Sequence, residues 1–399
     1  MPWSDPMSQK KEFVSDALSG MYSITELSQR YGISRNTGQR LLRRYRKQGE
    51  AGLEERSRRP HRMPRQTPEN VVDQILHVRD LYPRWGARKI LTYLETHQSE
   101  LTPDLPSSSV AHEYQSRNGR VKVRRRRRNI PPSRKRVPHP SKPNELWAID
   151  FKGEFKTWDG KYCYPLTITD SYSRSILCCR ALPSTKTTNV KPVMQQVFKQ
   201  YGLPKVLLSD NGAPFASTGL ARLTRLSAWW LKLGIELCRI DPGKPSQNGR
   251  HERMHRELKA ECTRPPEEHL EFQQESFDYF VTEYNTVRPH EALGMKVPAD
   301  LYRLSDRKYP GSNPKMDYPD FFMRRKVSSG GNIKLKDRPV FISNALLGET
   351  IGIYEIDHDV WSINYSFAEL GRYDWSNNKF HAGGTMGPKR ANKQDYFKL

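Results

Sequence analysis

The sequence has five cysteines, no apolar run long enough to cross a bilayer, and a shortage of acid: 44 Asp and Glu against 67 Lys and Arg, a formal charge of +23 over 399 residues. Each shortage excludes something. Cys163, Cys178, Cys179, Cys238 and Cys262 are odd in number and match neither a disulfide framework nor a CxxC metal pair. They read as buried thiols, and no structural zinc is expected. A membrane span needs roughly 20 consecutive apolar residues, and Met1 to Lys11 has no apolar stretch to act as a signal peptide. The chain is therefore expected in the cytoplasm, with no membrane partner. With acid so scarce, a polyanion is the expected partner, and nucleic acid is the commonest one for such a protein.

The length allows two to four domains. From Ser8 to Gly49 the pattern reads as three short helices: Gly20 closes the first, Ser23 and Glu26 form a capping box for the second, and Ser34 caps a third running through Leu41, Leu42 and Tyr45. That is helix-turn-helix spacing. The third helix carries Arg35, Asn36, Gln39, Arg40, Arg43 and Arg44 on its polar positions, side chains suited to base edges and phosphates; a small bundle with a solvated basic face is the alternative. After a basic stretch, helices are expected near Pro68–Leu81, Ala87–Thr96 and Ser107–Ser116, either a second DNA-binding unit or a spacer. Between Arg120 and Arg136 stand ten Lys or Arg and no acid, among them Arg124, Arg125, Arg126, Arg127 and Arg128. Like-charge repulsion should keep this linker extended until phosphates neutralise it.

From Glu145 the pattern changes. Leu146–Phe151, Tyr162–Thr169 and Ser175–Leu182 read as strands; helices near Asn189–Tyr201 and Leu220–Leu233 alternate with further strands at Lys205–Asp210 and Ile235–Ile240. This βββαβαβα order describes a mixed sheet with helices on its faces. Asp150 sits inside an apolar strand and Asp210 at the end of a buried one, before the turn Asn211-Gly212. An unpaired buried carboxylate is costly, and a metal ion removes the cost. After a loop rich in turn formers, Arg250 to Cys262 reads as a helix, with Glu252, His255, Arg256 and Lys259 sharing one face and Met254 and Leu258 facing a core. On its own, Glu252 is no more than a partner for Arg256.

Four phrases in order resemble the DDE superfamily of retroviral integrases and insertion-sequence transposases, and within it the transposases with an integrase-like core. They are Trp147-Ala148-Ile149-Asp150, Ser209-Asp210-Asn211-Gly212, Ser246-Gln247-Asn248-Gly249-Arg250-His251-Glu252-Arg253 and Tyr284-Asn285-Thr286-Val287-Arg288-Pro289-His290. The resemblance implies a ribonuclease H-like fold, with Asp150, Asp210 and Glu252 as the catalytic, metal-binding triad. Two Mg²⁺ or Mn²⁺ ions per site are implied, with Arg250, Arg256 and Lys259 at the DNA. It also implies 3′-end cleavage at transposon ends and strand transfer into target DNA, by a homo-oligomer on double-stranded DNA and with possible accessory transposition proteins. The family often has an aliphatic residue where this chain has His251, and the spacing from Asp210 to Glu252 exceeds that of retroviral integrases, which places extra length around Ala228-Trp229-Trp230.

The expected architecture is multidomain, α plus α/β plus β. It comprises a helix-turn-helix domain (1–58), a second helical DNA-binding domain (59–118), a basic linker (119–143), the ribonuclease H-like core (144–303), a small β-barrel (304–380) and a basic tail (381–399). The barrel is expected from strand-like alternation in segments such as Glu349 to Ile356 and Val360 to Tyr365. A DNA-binding regulator that kept the sheet as a scaffold, and a ribonuclease acting on hybrids, are the rival readings. The intact acidic triad and the helix-turn-helix units argue against them in turn.

Overall fold

Apolar residues three and four apart along three short helices close the first unit. α1 (Pro6–Leu18), α2 (Ile24–Arg30) and α3 (Arg35–Gln48) bury Phe13, Val14, Leu27, Leu41, Leu42 and Leu53 together. Ser23 accepts from the Glu26 amide while the Glu26 carboxylate accepts from the Ser23 amide, the expected capping box. Ser34 likewise caps α3. Gly38 stands where α3 crosses its neighbours: a Cβ there would lie 2.7 Å from Ser28 Oγ and 2.8 Å from the Phe13 ring. This computed structural model describes residues 6–55, 66–121, 138–219, 221–241 and 245–382. The chain divides into two compact units, Met1–Gln66 and Thr67–Leu399.

The second unit starts with α4 (Glu69–Leu81), α5 (Ala87–His97) and α6 (Ser108–Arg117), packed around Trp85, Ile75, Ile90 and Leu94. Arg120, the first residue of the basic run, grips Asp80 with two hydrogen bonds of 2.8 Å. It therefore belongs to this helical block; Arg124 to Arg128 lie outside the described residues.

Next comes the mixed sheet. Its strands are β1 (Leu146–Phe151), the short β2 (Phe155–Lys156), β3 (Tyr162–Asp170), β4 (Ile176–Leu182), β5 (Val206–Ser209) and β6 (Glu236–Arg239). Strand β3 pairs antiparallel with β1, β2 and β4, while β1, β5 and β6 run parallel. That order and sense are those of the ribonuclease H-like fold. Crossovers α7 (Thr187–Tyr201) and α8 (Arg225–Lys232) cover one face, burying Trp147, Ile149 and Leu207 under Phe198, Trp229 and Trp230. Ala228, Trp229 and Trp230 thus lie on a core helix. On the other face α9 (Gly249–Cys262) and α10 (Leu270–Thr286) cover β3 and β4 through Met254, Leu258, Phe277 and Phe280, and α11 (Pro298–Leu301) follows. Cys163, Cys179 and Cys262 are buried in this layer, and burial pushes Cys163 and Cys262 up to about 12, as inert thiols. Cys178 and Cys238 are half-buried.

The carboxyl-terminal region does not form the expected closed barrel. β7 (Met323–Lys326), β8 (Asn332–Leu335), β9 (Arg338–Phe341), β10 (Thr350–Asp357), β11 (Val360–Tyr365), β12 (Ala368–Asp374) and β13 (Lys379–Ala382) make two sheets. One is an open antiparallel sheet in the order β13-β12-β11-β10-β7, and β8 with β9 makes a separate ribbon. Closure requires strand tilt and register stagger to bring first and last strands together. Among the described residues β13 and β7 remain the two edges. Ile351, Ile353, Ile363 and Leu370 instead continue the core beneath α8, where Lys232 pairs with Glu349 at 2.8 Å. Among the described residues, no helix is long and apolar enough to cross a membrane.

Candidate active site

Strand register brings the two aspartates side by side. Leu146 and Ala148 of β1 lie opposite Val206 and Leu208 of the parallel β5. Continuing that register sets Asp150 beside Asp210, the first residue past the end of β5. Neighbouring strands are about 4.8 Å apart. Both acids therefore stand at the carboxyl ends of adjacent parallel strands, where open α/β sheets hold their ligands.

Local contacts fix Asp210. Its Oδ1 accepts from the Gly212 amide at 3.1 Å, and the Asn211 side chain donates to Ile240 O at 2.6 Å, tying the turn to the end of β6. A Cβ on Gly212 would lie 3.0 Å from Asp210 Oδ2, so glycine keeps that carboxylate in place. Glu252 lies in the first turn of α9, where the helix dipole favours a carboxylate, and it is exposed. Asp150 is half-buried. Burial and the charges of Asp210 and Glu252 push its carboxyl up to about 7. The three acids thus share one electrostatic field.

The donor set fits a hard divalent cation. It consists of carboxylate oxygens, the ligands Mg²⁺ and Mn²⁺ prefer, and positive charge would relieve the repulsion that raises Asp150. In spacing the triad is open. Among the described residues, the group whose ligand atoms all fall within 4.8 Å of one another is Asp150 with His251 and His255, and Asp210 and Glu252 stand outside it.

Those histidines correct the helical-face expectation. His255 does not share the exposed face of Glu252; it is buried with His251, Met254, Leu258 and Cys262 in a stripe three and four residues apart. Thr167 Oγ1 lies 2.7 Å from His251 Nε2, 2.6 Å from His255 Nε2 and 3.0 Å from the Asp150 carbonyl oxygen. Thr169 Oγ1 is 2.7 Å from His251 Nδ1. Burial holds both imidazoles neutral, with His251 lowered to about 3 and His255 well below the usual histidine range. A signal existed in the sequence: His251-Glu252-Arg253-Met254-His255 has the H-E-x-x-H spacing of zinc-binding helices. Geometry argues against that use here, because both nitrogens of His251 and Nε2 of His255 already face threonine hydroxyls.

The basic residues sort by what they touch. Arg256 and Lys259 are exposed along the face that carries Glu252, one and two turns beyond it. Arg250 is engaged internally, donating to Ser171 O at 2.8 Å and approaching the His139 ring at 3.0 Å. On α3, Arg35, Asn36, Arg40 and Arg43 are exposed and Gln39 is half-buried. Arg44 turns back to donate to Glu54 O.

Residues 140–245 and 233–298 each match an Integrase core domain, residues 9–61 a Helix-turn-helix domain and residues 37–112 a Homeodomain-like domain. The chain is 25% identical over 258 residues to the 39.2 kDa protein of insertion element IS476 from Xanthomonas euvesicatoria, covering 63% of this chain and 70% of that one. It is 26% identical over 185 residues to the 31.7 kDa protein of insertion element IS407 from Burkholderia multivorans, covering 45% of this chain and 63% of that one. Among solved structures, the catalytic core domain of BIV integrase gives a TM-score of 0.30 at 21% identity, covering 40% of this chain and 93% of that one.

Proposed function

We propose that this chain, a DDE-type insertion-sequence transposase with a retroviral-integrase-like core, binds the ends of its element, cleaves there to free a 3′-OH and joins that end to target DNA. The observation that carries this reading is the placement of Asp150 and Asp210 at the ends of adjacent parallel strands, with Glu252 in electrostatic reach. Asp150, Asp210 and Glu252 would hold the divalent ions. A pair of such ions supplies an activated nucleophile and neutralises charge on the leaving oxygen.

The chain's own residues do the rest. Gly212 and Asn211 hold Asp210 at the mouth of the sheet, and Arg256 and Lys259 offer cations to DNA phosphates beside Glu252. Arg35, Asn36, Arg40 and Arg43 are the proposed readers of the element end on α3, and α4 to α6 a second DNA-binding block. The linker, with Arg124 to Arg128, grips phosphates. Two ends require two active sites, so the working form is an oligomer on DNA.

Asp150→Asn, Asp210→Asn and Glu252→Gln are each expected to abolish cutting and joining of end-containing duplexes in Mg²⁺, mapped at nucleotide resolution, while end binding stays within a few-fold. A variant that cuts at the wild-type rate refutes the role of that residue. Faster degradation of RNA in hybrids than cleavage of element ends would favour a ribonuclease instead.

A further inference from the structure

The first turn of α9 is tied to β1 and β3 through hydroxyls. Thr167 is fully buried and His251 and His255 nearly so. The Thr167 hydroxyl has one hydrogen and two lone pairs, and it meets three partners: the Asp150 carbonyl oxygen, His251 Nε2 and His255 Nε2. A carbonyl only accepts, so the hydroxyl hydrogen goes to Asp150 and both imidazoles donate through Nε2–H. His251 Nδ1 is then bare and accepts from Thr169 Oγ1. This assignment, made from the network, satisfies every one of these contacts. One hydroxyl therefore joins the backbone of the first acid to the residue preceding the third. Further along, Met254, Leu258 and Cys262 anchor α9 by apolar packing.

We infer that Thr167 is a positioning residue: through His251 and His255 its hydroxyl holds the first turn of α9, and with it Glu252, at the separation from Asp150 that divalent-ion binding requires. The inference rests on the acidic triad being the ion site. An aliphatic residue at position 251, which the resembling family often has, lacks this tether. Thr167→Val removes the hydroxyl and keeps the shape, while Thr167→Ser keeps the hydroxyl.

The test is Mn²⁺ binding to the full-length protein without DNA, followed by the electron paramagnetic resonance of free Mn²⁺. Thr167→Val should weaken binding by about tenfold or more, the range found when groups supporting metal ligands are lost, and Thr167→Ser should restore it. Nitrogen NMR should show both imidazoles as Nε2–H tautomers in the wild type, and a change of tautomer or exchange in Thr167→Val. Should Thr167→Val fail to fold, His251→Val cuts the same link and should weaken Mn²⁺ binding in the same direction. Unchanged Mn²⁺ affinity in a folded Thr167→Val protein overturns the inference. So does tetrahedral Co²⁺ absorption that needs both His251 and His255, because their nitrogens would then belong to a metal. If the wild type binds no Mn²⁺ and Asp150→Asn cuts normally, the triad reading fails. If Asp150→Asn abolishes binding but Thr167→Val leaves it intact, only the tether fails.

Discussion

At the scale of single residues, charge and burial meet at Asp150. It is the next-to-last residue of a strand whose other side chains are apolar, and burial, with the charges of two further acids, raises its carboxyl to about 7. That conflict was legible in the sequence as a lone Asp in an apolar run, as Asp210 was from its place before a turn. His255 was not legible. An imidazole near the edge of a helical wheel reads as surface, and only the Thr167 hydroxyl across the sheet makes its burial affordable. Gly212 gives a sharper residue-scale test. A methyl group there crowds the end of a side chain rather than backbone, so Gly212→Ala should cost under about 1 kcal/mol of stability. It should slow cutting about tenfold or more by moving Asp210, read from denaturant midpoints beside single-turnover rates.

Among elements, α10 and its end hold α9 and the helical block together with charge. Arg288, with its side chain 4% exposed, donates to Glu257 at 2.9 Å and Glu261 at 3.1 Å and lies 4.0 Å from Glu283; Arg84 reaches Glu257 at 2.7 Å. Removing one member of such a buried set leaves uncompensated charge. Arg288→Ala should destabilise the second unit by about 3–5 kcal/mol, measured by chemical denaturation. The same cluster sets a pH window. Burial lowers His290 to about 3 from 6.5. Burial works to raise Glu257, but Arg84 and Arg288 outweigh it and hold the carboxylate at about 2, down from 4.5. Burial raises Glu283 to about 7, with Arg288 and Lys89 opposing and Glu261 and Glu257 assisting. Below pH 6.5 the unfolded chain binds a proton at His290 that the fold refuses, so stability falls with pH. Between 6.5 and 4.5 Glu283 works the other way, because its folded-state proton favours the fold as pH drops. From about 4.5 to 3, His290 and Glu257 act together, so these groups should remove stability at about 2.7 kcal/mol per pH unit. Unfolding free energies measured across pH 3 to 7 check this, and a curve that is flat below 4.5 contradicts it. The ion cluster was illegible in advance because its members come from three separate stretches of the chain, around Arg84, Glu257 and Glu283.

On the scale of the whole molecule, the charge of +23 should dominate DNA affinity. Each neutralised phosphate adds about 0.9 to the slope of log affinity against log salt. Arg40→Ala and Arg43→Ala, at exposed positions of α3, should each lower that slope by about one unit or less in a salt titration of end binding. No change in slope for either variant would remove α3 from the interface. The carboxyl-terminal sheet shows the opposite limit of sequence reading. Alternation located β11 at its observed bounds and β10 within a residue, but it did not predict that the sheet would stay open.

The sequence by itself determined the elements, because helical and strand periodicity, caps and turn residues act over a few neighbours. It also determined which acids stand at the ends of β1 and β5 and in the first turn of α9, because strand ends and helix starts are local events. Only the tertiary structure decided what touches Glu252's neighbours, where α8 goes, and whether the last sheet closes. Those outcomes depend on contacts between residues far apart in the chain, such as Thr167 with His255 or Lys232 with Glu349. No local pattern encodes a partner that arrives from another strand.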